Sequence, residues 1–404
     1  MHVAKLHAQL VATLCERGAI RSANVEAAFR RVPRHVFIPG VPVSDAYADR
    51  SIPIKFGDGV PISSSSQPAM MAEMLERLAL RAGDRVLEIG AGSGYNAALL
   101  ADLVGPAGFV ATIDLDADLA DGARRHLAAA GFHQVRTICA DGTDGDLADS
   151  PFDAIIATIG VGDIPPAWIS QLRIGGRLVM PLAIRLLQRV VTFQRTAESL
   201  ASTSVIGGSF MMLRGRSPSV TADPITLGAA TTMLRVVNDA SVDREWLVRA
   251  LREPAGEARP SRPLTVDDVW SGLALWLNFH DEAFCRLDTL GAAATGGQFP
   301  NVAPNEMSAV AYAATLGLYR THDLAVFALS ADGDIVIRHC GEHSGALRRL
   351  QSAIDAWDDA GRPADAGMRI EAFPRGVNQP IASCGESAVS IAQASTTVVV
   401  RWVS

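Results

Sequence analysis

Val86-Leu87-Glu88-Ile89-Gly90-Ala91-Gly92-Ser93-Gly94-Tyr95-Asn96 decides how this chain folds. An apolar run carrying one acid, Glu88, enters three glycines at alternate positions, and helix-forming residues (Ala97-Ala98-Leu99-Leu100) follow. Glycines at a strand-to-helix turn permit positive φ and let a ligand approach the backbone, while the start of the helix leaves N–H groups unpaired. A G-x-G pair alone is weak evidence. Here a strand precedes it, a helix follows it, and an acid, Asp114, stands 20 residues beyond Gly94. The spacing lacks the third glycine of the G-x-G-x-x-G dinucleotide turn.

Downstream the pattern repeats as strand, helix, strand. Gly108 to Asp114 reads as a second strand, and a carboxylate at its end can accept from both hydroxyls of a ribose. Helix-compatible sequence over Ala117–Ala130 leads to a third strand, Val135–Ile138, closing in Ala140-Asp141-Gly142. Phe152 to Thr158 is nearly all apolar, as a central parallel strand buried on both faces requires, and Gly175 to Pro181 supplies a fifth strand. Short apolar strands alternating with helices predict an α/β fold with a doubly wound, mostly parallel sheet. Asp141 is placed to accept from an adenine amine. Asp114 and Asp141 also have an ordinary reading as helix N-caps.

V-L-E-I-G-x-G-x-G is similar to the form used by class I methyltransferases that bind S-adenosylmethionine. The resemblance becomes specific upstream. Val32-Pro33-Arg34-His35-Val36-Phe37-Ile38-Pro39, Ala46-Tyr47-Ala48-Asp49, Ile52-Pro53-Ile54 and Ser66-Gln67-Pro68 together resemble the protein-L-isoaspartate O-methyltransferase family, whose pattern is V-P-R-x-x-F-V-P, A-Y-x-D and P-I-G-x-G-Q-T-I-S-Q-P. The match continues through Phe152–Thr158 and Ile164-Pro165 and fades near Phe210–Gly215, similar to the closing F-x-P-L strand of the family. The resemblance implies a catalytic domain over residues 1–215, S-adenosylmethionine as cofactor and a peptide or protein carboxylate as methyl acceptor. It implies a cofactor-binding set of Glu88, Gly90, Ala91, Gly92, Ser93, Gly94, Asp114, Asp141, Gly142 and Thr158. A carboxylate is already ionised near neutral pH and the sulfonium is an activated donor, so alignment and exclusion of water carry the catalysis.

In the family a hydroxyl in I-S-Q-P holds the incoming carboxylate. Carried over without a gap, that role falls on Ser66, with Ser64 where the family has Thr; aligned on Ile62, it falls on Ser63. The run Ser63-Ser64-Ser65-Ser66 also has a plain reading as a flexible loop. The P-I-G-x-G segment has become Pro53-Ile54-Lys55-Phe56-Gly57-Asp58-Gly59, over the region that covers substrate in relatives. Tyr47 and Trp168 read as packing residues, His35 as part of a structural turn, and Arg124-Arg125 as a solvated helix face.

At 404 residues with a net charge of −7, the chain is long enough for two domains and poorly suited to nucleic acid. No signal pattern or run of about 18 apolar residues appears, so a cytoplasmic protein with no membrane partner is expected. Five scattered cysteines without C-x-x-C read as reduced thiols. His339 and Glu342-His343 lack a second ligand pair, and no metal is expected.

Arg216-Ser217-Pro218-Ser219 reads as a boundary opening a C-terminal α+β domain over 216–404. Val266–His280 and Leu347–Trp357 read as helices, and Ala325–Leu329 with Ile335–Ile337 as a hairpin about Asp332-Gly333; Met368–Phe373 and Thr397–Trp402 read as strands. The whole chain resembles extended family members associated with lanthipeptide and related ribosomal peptides. That implies methylation of an ordinary Asp in a precursor peptide, giving a succinimide that opens to isoaspartate, with peptide recognition in the second domain. Repair of isoaspartyl residues in damaged proteins is the alternative, and a non-catalytic peptide-binding module a third.

Overall fold

The computed structural model describes residues 2–216, 224–227, 232–237, 242–290, 294, 301–302, 312–341, 344–376 and 388–402. Ser217-Pro218-Ser219, Glu342-His343 and Cys384 lie outside them. The chain divides into two compact units. The first comprises Met1–Leu182, Gln188–Pro218 and Arg369–Arg401; the second comprises Ala183–Leu187, Ser219–Met368 and Trp402–Ser404.

The first unit begins with helices His2–Glu16 and Ala23–Arg31 and an antiparallel hairpin of β1 (Ile52–Gly57) and β2 (Val60–Ser65). Helix Pro68–Leu78 then leads into β3 (Arg85–Ile89), β4 (Phe109–Asp114), β5 (Arg136–Cys139), β6 (Phe152–Ala157) and β7 (Leu172–Ile184). These five lie in the order β7-β6-β3-β4-β5 and pair in parallel, with Leu87 opposite Ala111 on one side and Ile155 on the other. Val86, Leu87 and Ile89 are enclosed on both faces, as the near-continuous apolar run requires. Helix Tyr95–Val104 covers one face. Its Ala97, Ala98, Leu99 and Leu100 are all fully buried, so it packs as a core helix rather than an amphipathic one. The strand order reverses between β3 and β6, and a doubly wound sheet opens its crevice at the carboxyl ends on either side of that point.

Two strands, β8 (Leu187–Arg195) and β9 (Leu200–Gly207), continue the sheet as an antiparallel pair. Phe210–Gly215 does not add another strand; it makes a single bridge, Met212 to Gly160. The second unit carries a seven-stranded sheet: β10 (Ile225–Leu227), β11 (Thr232–Val236), β12 (Gly256–Ala258), β13 (Phe284–Leu290), β14 (Tyr312–Arg320), β15 (Asp323–Leu329) and β16 (Ile335–Cys340). Every pairing described in it is antiparallel, and helices Arg244–Arg252 and Gly345–Asp359 accompany it. The helix expected over Val266–His280 starts with a π-helical segment, Asp268–Leu273, before the α-helical Ala274–His280.

The C-terminal stretch differs from an uninterrupted 216–404 domain. β17 (Met368–Pro374), β18 (Ala388–Ala392) and β19 (Thr396–Trp402) join the large sheet beyond β9, with Ala372 opposite Leu200. Their alternating apolar residues mark them as strands, but no local signal says which sheet they complete. Among the described residues no helix is long and apolar enough to cross a membrane. Leu99→Ala should lower the unfolding free energy by about 2–5 kcal/mol in denaturant titrations, because a fully enclosed leucine leaves a cavity.

Candidate functional site

The glycine turn after β3 takes its shape from backbone angles that side chains disfavour. Gly90, Gly92 and Gly94 have φ of +99°, +51° and +86°. A Cβ on Gly90 would lie 2.7 Å from Thr158 Oγ1, and one on Gly94 would lie 3.2 Å from Ala123 Cα, so these two glycines also serve close packing. Gly92 is different. A Cβ there would meet β1 and β2 only at ordinary contact distance, 3.6 Å from the Ser64 carbonyl, 3.8 Å from Ile54 Cδ1 and 3.8 Å from Ser63 Oγ. The cleft between turn and hairpin is lined by Ser64, Ser65, Ser66, Gly92, Asn96 and Thr158, with Gly90, Ala91 and Ser93 completing its floor.

The three acids occupy different places. Asp114 ends β4 and accepts the Gly92 amide on Oδ2 (2.8 Å) and the Asp116 amide on Oδ1 (3.1 Å). Burial raises its pKa and these amides partly offset the rise. Each of its oxygens keeps a lone pair, as recognition of a diol needs. Glu88 is fully enclosed, and its oxygens are taken by Asn96 Nδ2 (2.7 Å) and Thr112 Oγ1 (2.6 Å). It braces the turn from beneath instead of reaching the cleft, which corrects its reading as a direct ligand. Burial pushes its carboxyl up to about 7.

Asp141 takes the capping role. It accepts from the Thr143 amide (2.9 Å) and hydroxyl (2.6 Å), and the Arg216 amide reaches its other oxygen at 2.9 Å. Burial opposes ionisation, but these bonds outweigh it and hold the carboxyl down to about 2. Gly142 is a packing glycine: a Cβ would lie 2.5 Å from Ile89 Cγ2, and its carbonyl accepts from Trp168 Nε1 at 2.8 Å. Thr158 Oγ1 donates to the Gly90 carbonyl (2.8 Å) and so ties the end of β6 to the turn.

The serine run is a strand, not a flexible loop. Ser63, Ser64 and Ser65 pair with Lys55, Pro53 and Ile52, and Ser66 follows, with the N-cap residue Gln67 between it and helix Pro68–Leu78. Ser64 and Ser66 line the cleft; Ser63 is not among its lining residues. What fixes the run is Arg34, which the sequence presents only as part of the V-P-R-x-x-F-V-P motif. Its guanidinium is fully buried and donates to the carbonyls of Ala46, Ala48, Arg50, Ser65 and Ser66, at 3.0–3.3 Å. Burial pulls its pKa down to about 10, leaving it charged at neutral pH. The signal was present in the sequence: an arginine between an apolar pair and V-F-I-P. The far end of the hairpin is held by Lys55, paired with Asp116 (3.0 Å) and Asp118 (2.6 Å) beyond β4.

These residues fit S-adenosylmethionine. Gly92 leaves a cradle that a side chain would fill, Asp114 offers acceptors at the correct strand end, and Ser65 Oγ and Asn96 Oδ1 are buried in the cleft walls with no partner of their own. Among the described residues no group of three His, Cys, Asp or Glu side chains could hold a metal ion. One prediction concerns pH. A carboxyl whose folded pKa is raised favours folding below its ordinary value of 4.5, and that contribution is lost as pH rises to about 7. Glu88→Gln mimics the protonated form, so its thermal unfolding temperature should fall less than that of the wild type across that window; equal slopes would contradict the assignment.

The comparisons with known proteins agree with this geometry. The family model for protein-L-isoaspartate(D-aspartate) O-methyltransferase matches residues 5–217. A protein-L-isoaspartate O-methyltransferase of Methanopyrus kandleri is 41% identical over 47% of this chain and 82% of its own length. One of Methanoculleus marisnigri is 42% identical over 49% of this chain and 86% of its own. A solved structure bearing the same enzyme name covers 90% of this chain and 96% of its own at 22% identity, with a TM-score of 0.51, which establishes a shared fold. With a family match over half its length and a glycine turn and a serine strand meeting in one cleft, this chain belongs to the protein-L-isoaspartate(D-aspartate) O-methyltransferase family, carboxyl methyltransferases that use S-adenosylmethionine and act on proteins or peptides.

Proposed function

We propose that this enzyme methylates the free α-carboxylate of L-isoaspartyl residues in proteins, the first step in their repair. The observation that carries the reading is the approach of β2 to Gly92, with Ser64, Ser65 and Ser66 lining the same cleft as the cofactor turn. S-adenosylmethionine, when bound, supplies a methyl group activated by the adjoining sulfonium. The turn and Asp114 hold the nucleoside side of the site. Ser66, with Ser64 beside it, donates a hydrogen bond to the acceptor carboxylate and orients one oxygen for in-line attack. Arg34 keeps both serines in register through the carbonyls of Ser65 and Ser66. No residue needs to take a proton, because the acceptor arrives ionised. The ester has a far better leaving group than the carboxylate: the nitrogen of the following backbone amide attacks the ester carbonyl, methoxide departs with the amide proton as methanol, and a succinimide remains.

The second unit gave the precursor-peptide reading its support, on the ground that a repair enzyme needs no such addition. That ground is weakened by the solved protein-L-isoaspartate O-methyltransferase whose fold extends over 90% of this chain. The relatives that match at 41–42% identity carry the repair enzyme's name, which favours isoaspartate as the acceptor.

Mass spectrometry after incubation with S-adenosylmethionine tests the choice. An isoaspartyl peptide should gain one methyl and then lose methanol, whereas a modified precursor peptide carrying ordinary Asp stays unchanged; methylation of the precursor alone overturns the proposal. Ser66→Ala should lower kcat/KM by about 10- to 100-fold, the worth of a hydrogen bond to a charged group, with S-adenosylhomocysteine affinity within about twofold of wild type. Full activity in Ser66→Ala together with its loss in Ser63→Ala would shift the role to Ser63.

A further inference from the structure

The segment following β6 lies against the cofactor turn, and each of its residues with a described backbone bond is pinned by a different part of the first unit. Thr158 Oγ1 bonds the Gly90 carbonyl; Gly160 exchanges backbone bonds with Met211 and Leu213, both at 2.7 Å; Val161 N donates to the Pro181 carbonyl at 2.8 Å. The last two residues are held from the far end of the chain. Gln393 Nε2 donates to the Gly162 carbonyl, and the Ser395 amide donates to Asp163 Oδ2 at 2.6 Å. The Thr396 hydroxyl lies 2.8 Å from Asp163 Oδ1 and 2.9 Å from Gln393 Oε1, and its one proton goes preferentially to the charged acceptor. Asp163, Gln393 and Thr396 are all buried, Asp163 at 2% and Thr396 at 0% exposure.

A buried carboxylate with both oxygens bonded to one short turn is a costly arrangement that fixes position. Its neighbours carry the constraint onward to the rim of the cleft. Met211–Leu213 lead directly into Arg214, paired with Asp116 at 2.6 Å, and Arg216, bonded to Asp141. These two acids stand at or just beyond the carboxyl ends of β4 and β5.

We infer that the β18–β19 turn, Gln393–Thr396, is a positioning element of the methyl-transfer site, acting through Asp163 on the 158–163 segment. The inference rests on the function proposed above, since it concerns the alignment of the same cleft. It also explains why the chain returns to the first unit after completing the second: the returning strands tie down the part of the site that β6 leaves free.

The test uses the full chain and two substitutions at one position. Thr396→Val keeps the shape and removes the donor, whereas Thr396→Ser keeps the donor and removes a methyl group. Hydrogen exchange of residues 159–163, measured without cofactor, should quicken in Thr396→Val and stay at the wild-type rate in Thr396→Ser. kcat for the methylated peptide should fall about tenfold or more in the valine variant, with KM little changed, and stay within about twofold of wild type in the serine variant, as expected of a displaced reacting group. Wild-type exchange and turnover in Thr396→Val overturn the inference, as does a serine variant as impaired as the valine, which would reduce Thr396 to packing. Should Thr396→Val fail to fold, Asp163→Asn is read by the same two measurements. Should no isoaspartyl peptide be methylated by the wild type, the proposed acceptor fails, while the exchange rates and the affinity for S-adenosylhomocysteine still decide the positioning role.

Discussion

Positive φ at Gly90, Gly92 and Gly94 is the constraint on which the rest of the site depends. It lets the chain leave β3, pass beneath the hairpin and enter a buried helix within five residues. Gly90 and Gly94 use the missing Cβ for close packing, with Thr158 and with Ala123, whereas a Cβ at Gly92 would meet the hairpin only at ordinary contact distance. Glu88 and Asp114 then hold the turn from two sides, one through side chains and one through a backbone amide. The site is therefore assembled chiefly from backbone, and side-chain chemistry enters at its edges.

That construction explains how much of the molecule could be read from its residues. The parallel strands were legible because burial on both faces leaves apolar runs that few other structures need, and their bounds in the fold fall within a few residues of those runs. The glycine turn was legible because no other residue substitutes for it. Glu88 and Asp141 were ambiguous in sequence for a shared reason. An acid beside a ligand turn looks the same in sequence whether it faces the ligand or supports the loop, and only its partners, Asn96 and Thr112 for one and Thr143 and Arg216 for the other, separate the cases. Arg34 was visible as a motif residue, but its task was not, because its partners are carbonyls, which every residue carries.

The serine run illustrates the opposite difficulty. Four identical residues give an alignment no landmark, so the sequence offered several registers for the hydroxyl that meets substrate. Pairing with β1 removes the freedom: Ser63 opposes Lys55, Ser65 opposes Ile52, and the buried guanidinium grips the carbonyls after them. A strand alternates its faces, so neighbouring hydroxyls of the same chemistry are given different surroundings. Chemical redundancy in the sequence becomes geometric distinction in the fold.

The return of the chain to its first unit has a consequence for biosynthesis. β9 pairs with β17 through Leu200 and Ala372, so while the ribosome is making the second unit the outer edge of β9 has no partner. An unpaired edge strand is a template for association with other chains. The nascent enzyme must therefore pass through a stage in which its catalytic half is largely made and its sheet unfinished. The strands that complete the sheet are made only after the intervening residues, so the β9 edge stays open for the whole of that interval.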